Sequence, residues 1–271
     1  MTRLLKADFK RFFKDKLFLI ACIIAGAFAI STPLLYKVLF STLTGMDDLS
    51  MLGMILDVKT MFFSAFSLTN NLGLIAPIFI LIIIGKDFTY GTIRNKIIKG
   101  HSRTSIFLSL FIVSASIISL IMFSYAAVNG LLTLALFSDL VGEVTSKAVG
   151  YFVLSLFLEL LVLLSIAAFL SLLATCMKNS GVAIVFYAAA ILGSLAIYTV
   201  LSMAAMFISQ ESVVELINTL SLFFVFSHPS IIGVGTSYET KDLILIILSN
   251  LLCIGGFNGL GILVFNKKDL K

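Results

Sequence analysis

The residue best suited to chemistry in this 271-residue chain is a lone carboxylate deep inside an apolar run. Glu159 lies about nine residues into the run 150–175; at a rise of about 1.5 Å per residue that is close to the middle of a crossing helix. A carboxylate at that depth is costly in hydrocarbon and faces a partner or a watery cavity. Two readings stand: a contact for a proton, a cation or a cationic substrate, and a protonated carboxyl hydrogen-bonded to a Ser, Asn or Tyr of a neighbouring helix. Asn70 and Asn71, with Pro77 deeper in the same run, suit either the joining of helices or a translocation path. His228 titrates near neutral pH when unperturbed, but beside Pro229 it reads as a turn residue. Cys22, Cys176 and Cys253 are scattered, with neither a disulfide framework nor a metal-ligand spacing. Gly85-Lys86 follows a run of isoleucines and precedes no Ser or Thr, so it is not a phosphate-binding loop, and neither HExxH nor a nucleophile elbow occurs. The chain is therefore not expected to be an enzyme, nor to hold a metal or cofactor of its own.

The elements that must position these residues are set by composition. Hydrophobic residues make up 60% of the chain and charged ones 12%, and the mean hydropathy is +1.13. A soluble domain carries about 25% charged residues, so the chain reads as all-α and polytopic in a membrane. Six runs match the roughly 20 apolar residues of a crossing helix: 17–38, 64–84, 105–137, 150–175, 181–208 and 243–265. Little remains outside them, so residues 1–271 read as one transmembrane domain. In the last run Gly255 and Gly259 form a small-xxx-small pair, with Gly261 nearby, expected to pack closely on another helix.

Residues 1–16, MTRLLKADFKRFFKDK, place Leu4, Leu5, Phe9, Phe12 and Phe13 roughly on one helical face and the basic residues largely elsewhere. That pattern predicts an interfacial helix. The following run is longer than a signal-peptide core, so an uncleaved first span is expected. Most of the 19 Lys and Arg residues fall in this leader, in 85–104, at Lys178 and at the C-terminal end. The other loops are relatively acidic. Positively charged loops stay on the cytoplasmic side, which predicts a plasma-membrane protein with both termini cytoplasmic. An even number of crossings then follows, so 209–242, interrupted at His228-Pro229, reads as a broken re-entrant or extracellular segment rather than a seventh span.

The densest basic stretch, GKDFTYGTIRNKIIKGHSR, separates two apolar runs. Tyr90, Ile93 and Ile97 recur at helical spacing with Arg94, Lys96 and Lys99 around them. The pattern predicts a short amphipathic helix suited to docking on a protein, or a basic loop that binds anionic lipid. Asp87, Gly91-Thr92, Arg94 and Ser102-Arg103, together with the ending GILVFNKKDLK, resemble the first cytoplasmic loop and the C-terminus of type-2 ABC transporter permeases. The six spans, the basic leader and the broken segment before the last span are similar to that family in layout.

The resemblance implies a permease subunit of an ATP-driven exporter of amphipathic or antimicrobial peptides or hydrophobic drugs. Two permeases, identical or different, would pair with two ABC ATPase subunits, which would bind ATP and Mg. The helix at 86–99 would be the coupling helix seated on the ATPase, so that Asp87, Tyr90, Gly91, Thr92, Ile93, Arg94, Ile97, Ser102 and Arg103 form the contact. Glu159, Asn70 and Asn71 would lie on the translocation path. Membrane lipid and the exported compound are the remaining partners, and nucleic acid is not among them. The rival readings are a secondary transporter or channel with Glu159 as its ion site, and a non-transporting scaffold or immunity protein.

Overall fold

The computed structural model describes residues 1–43, 58–68, 71–137, 146–177, 179–208, 210–232 and 238–268. Among these residues every regular element is helical. In chain order they are α1 (Thr2–Lys14), α2 (Lys16–Leu43), α3 (Val58–Ser64), α4 (Asn71–Thr89), α5 (Thr92–Ile98), α6 (Arg103–Leu136), α7 (Ser146–Cys176), α8 (Ser180–Phe207), α9 (Glu211–Ser221), a 3-10 turn (Val225–Ser230) and α10 (Thr240–Lys267). Five of them, α2, α6, α7, α8 and α10, are long and apolar enough to cross a membrane. Such helices meet all their backbone hydrogen bonds internally, as hydrocarbon requires. The fold is thus compatible with a multi-pass membrane protein.

The run 64–84 does not form one helix, which departs from the sequence expectation. Ala65, Phe66 and Ser67 close turns onto Phe62, Phe63 and Ser64, and α4 begins only at Asn71. The chain doubles back so tightly that a Cβ at Gly73 would lie 2.4 Å from the Ser67 carbonyl oxygen. The folded-back arm buries Phe63, Phe66 and Leu68, with Phe62, Phe63 and Phe66 against Phe123 and Phe152. At its other end α4 does not run on to residue 99. It stops at Thr89, and α5 leaves at a bend of 56°.

The long helices alternate in direction. The start of α6, the ends of α4, α7 and α10 and the start of α8 meet at the end of the bundle that carries α1. Ser109 touches Asp8, Lys268 reaches the last carbonyls of α7, and Gly85 sits against Ser180, where a Cβ would lie 1.8 Å from the hydroxyl oxygen. One buried apolar core runs from Leu4 to Phe265 through these elements. On α10 the close approach falls at Gly261, whose added Cβ would lie 2.3 Å from the Phe107 ring. Gly255 and Gly259, expected to pack closely, meet nothing within 4 Å, because they lie on the exposed side of α10.

Candidate functional site

Four charged side chains meet where α1, α4, α5 and α6 converge. On α1, Leu4, Asp8 and Phe12 recur at i, i+4 and i+8 and are all buried, so the face that docks this helix carries a carboxylate at its centre. Asp8 Oδ1 lies 2.7 Å from the Lys96 ammonium, and its Oδ2 accepts a hydrogen bond of 2.7 Å from the Ser109 hydroxyl. The same ammonium lies 3.9 Å from Asp87 Oδ2. Asp87 in turn is paired with Arg11. Asp8, Asp87 and Lys96 are buried and Arg11 is half-buried. The cluster thus holds two cations and two anions in a shielded place, where removing one member strands its partner.

A second pair extends the junction. Lys86 Nζ lies 2.9 Å from Asp15 Oδ2, and the Leu17 N–H donates to Asp15 Oδ1 at 2.9 Å. Burial pushes the Asp15 carboxyl up. The Lys86 hydrogen bond, the Leu17 N–H and the charges of Lys86 and Arg11 outweigh it and hold the group below the ordinary carboxylate value.

The short helix α5 is bracketed by two glycines in the left-handed region, Gly91 at φ +67 and Gly100 at φ +86. That conformation costs an L side chain roughly 1–2 kcal/mol, so glycine is suited to both corners. Within α5 the sequence-predicted ridge splits. Ile93 is 1% exposed and Ile97 packs against the core, so both face the protein itself. The outward ridge is instead Tyr90, Arg94 and Ile98, with Tyr90 75% and Ile98 73% exposed and Arg94 and Lys99 beside them.

The remaining loop residues hold the scaffold. Ser102 caps α6 by accepting from the Ser105 N–H at 3.2 Å. The Arg103 guanidinium lies 3.0, 3.0 and 2.7 Å from the carbonyl oxygens of Phe265, Asn266 and Lys268, which end α10. Lys268 donates to the carbonyls of Thr175 and Met177 at the end of α7 and sits 5.0 Å over the Phe88 ring. Cations at helix C-termini satisfy orphan carbonyls and suit the helix dipole. Of the nine expected contact residues, Tyr90 and Arg94 are presented outward, Thr92 is half-buried at the start of α5, and Asp87 and Ile93 are consumed internally.

Glu159 is fully buried in α7, and neither carboxyl oxygen has a hydrogen-bond partner among the described residues. Asn70 lies outside the described residues, and Asn71 is the first residue of α4. A separate buried chain of polar groups links three other elements. Ser165 on α7 donates to Asn250 Oδ1 at 2.9 Å, Asn250 Nδ2 donates to His228 Nδ1 at 3.0 Å, and His228 Nε2 donates to the Leu222 carbonyl at 2.8 Å. Both imidazole nitrogens are thereby engaged in the neutral form. An apolar recess of about 320 Å³ opens between α2 and α6, lined by Ala25, Gly26, Ala29, Ile121, Tyr125 and Val128 among others.

Sequence reasoning did not find Asp8, Ser109 or the inward role of Lys96. The available signal was the charge of Asp8 at an apolar position of an amphipathic helix. Together, fold and site define a class: an all-helical chain with five membrane-length apolar helices and an ion-paired junction at the end where α1 lies. The chain matches no protein family, no curated protein and no solved structure with which it was compared.

Proposed function

We propose that this chain is the permease subunit of an ATP-driven exporter, with α5 as the element on which a separate ATPase subunit acts. The observation that carries the reading is the form of α5. It is a seven-residue helix, turned 56° from α4, pinned on one side through Lys96 to Asp8, and left with Tyr90, Arg94 and Ile98 facing outward. A helix held so firmly on one side and bare on the other transmits a push from outside to α4, α6 and α1 together. In this reading α4 counts as the sixth crossing: its 19 residues reach about 28 Å, with the last of them emerging at the cytoplasmic face. Residues 85–104 and both termini are then cytoplasmic, α1 lies in the inner headgroup layer, and 209–242 enters from the outside. The partners are two ATPase chains, which bind ATP and Mg, and a second permease, the same or different. The cargo is an amphipathic or antimicrobial peptide or a hydrophobic drug, for which the apolar recess between α2 and α6 offers a fitting surface.

The test follows from the outward ridge. Arg94→Glu combined with Ile98→Asp should abolish co-purification of an ATPase subunit and ATP-dependent transport in vesicles, while thermal unfolding of the purified chain shifts little. Lys96 is left intact because altering it would disturb the buried cluster. Retained ATPase recruitment and transport in the double variant would remove α5 as the docking element.

A further inference from the structure

The leader helix has a third face that the junction does not use. At about 100° per residue, Arg3, Lys6, Lys10 and Lys14 fall within an arc of about 80°, and all four are exposed. That arc lies opposite the buried Leu4, Asp8 and Phe12, so these cations point sideways, away from the protein. Between the two lies an apolar edge of Leu5, Phe9 and Phe13. Phe9 and Phe13 stack with centroids 6.3 Å apart, Phe13 meets Phe18 at the start of α2 edge-on at 5.1 Å, and Phe13 is 50% exposed.

The acids of this region are already spent. Asp8 turns inward to Lys96 and Ser109, and Asp15 is held by Lys86. The outward face is therefore of one sign, with no carboxylate of α1 to neutralise it. Because the apolar edge adjoins the foot of α2, it sets the helix at the depth where an apolar helix emerges from hydrocarbon, and the cations beside it stand at headgroup level. A single-sign basic stripe beside a half-exposed aromatic edge is complementary to one surface, an anionic leaflet.

We propose that Arg3, Lys6, Lys10 and Lys14 form a binding surface for anionic phospholipid headgroups, anchored by Leu5, Phe9 and Phe13. The surface selects lipid by charge. The inference needs only a membrane around the chain and stands apart from the ATPase reading, because its test uses the purified chain alone.

The probe is phosphatidylglycerol against phosphatidylcholine, titrated onto the full chain in detergent and read as retained lipid by native mass spectrometry. The chain should retain phosphatidylglycerol preferentially. Each basic residue near an anionic surface is worth about 1 kcal/mol, so Lys6, Lys10 and Lys14→Gln together should weaken that retention on the order of 100-fold and leave phosphatidylcholine unchanged. The matching Lys→Arg variant should keep the preference. As a control that needs no mutation, raising the salt to about 0.5 M should collapse the wild-type preference by screening. Equal retention of the two lipids by the unaltered chain would overturn the proposal. So would a Gln variant that keeps its preference.

Discussion

Lys96 shows how much a single side chain can be asked to hold. Its ammonium is buried between Asp8 of α1 and Asp87 of α4, while its backbone belongs to α5. Buried ion pairs give little net stability over apolar replacements, because desolvation offsets the attraction, but leaving one partner alone is costly. Lys96→Met should therefore destabilise the chain by about 3 kcal/mol, read as unfolding by denaturant or heat in detergent. Asp8→Asn should cost less, since the Asn amide keeps the contact with Ser109. The double variant should be more stable than the sum of the two single losses, because neither leaves the other stranded. Costs below about 1 kcal/mol for both single variants would mean that the charges are hydrated and the junction loose.

The elements depend on backbone permissions at a few corners. Gly91 turns the chain at φ +67 between α4 and α5, and nothing lies within 4 Å of a Cβ placed there. Gly91→Ala therefore meets only conformational strain and should cost roughly 1–2 kcal/mol in the same unfolding measurement. A loss much larger than that would mean that the corner also packs against something. The Gly91 corner was hidden, since the spacing of Tyr90, Ile93 and Ile97 runs through it as one helix, whereas the long helices were legible in the sequence because their apolar runs are unbroken. The break between α3 and α4 was not. Ser67, Thr69, Asn70 and Asn71 interrupt the apolar residues there, but polar residues alone do not break a helix, and the deciding feature is the close approach at Gly73 to the backbone of Ser67 and Leu68, which composition does not record. Asp8 was hidden for a related reason. Its hydroxyl partner Ser109 lies 101 residues away, and a carboxylate in a basic helix reads as solvated until the fold brings that partner to it. The ridge of α5 was found at the right period, but Ile93 and Ile97 turn inward and only Tyr90 of it faces outward, since periodicity gives a face without saying what covers it.

At the scale of the whole molecule, two polar networks among the described residues are joined by apolar helix. One is the ion-paired junction at α1; the other is the chain Ser165, Asn250 and His228, which ties α7 and α10 to the 3-10 turn. Glu159 lies on α7 in neither. Four residues before it, Ser155 meets the Tyr238 hydroxyl at 2.7 Å, but the Glu159 carboxyl has no such partner among the described residues. A buried polar group left unsatisfied costs about 1–3 kcal/mol, and a fold keeps that cost only where the group has a use or the surroundings cannot repack. Glu159→Leu separates these cases because it fills a similar volume without the polar atoms. If transport runs on ATP hydrolysis in a partner, the variant should be more stable by about 1–3 kcal/mol in thermal unfolding, and its ATP-dependent transport in vesicles should persist where Glu159 is only structural and fall where Glu159 lies on the translocation path. If the chain instead moves its cargo on an ion gradient, the same stabilised variant should lose gradient-driven uptake by the chain alone, and the permease reading would give way to the rival. Stability and transport are read on one protein, so a gain in the first cannot be mistaken for misfolding in the second.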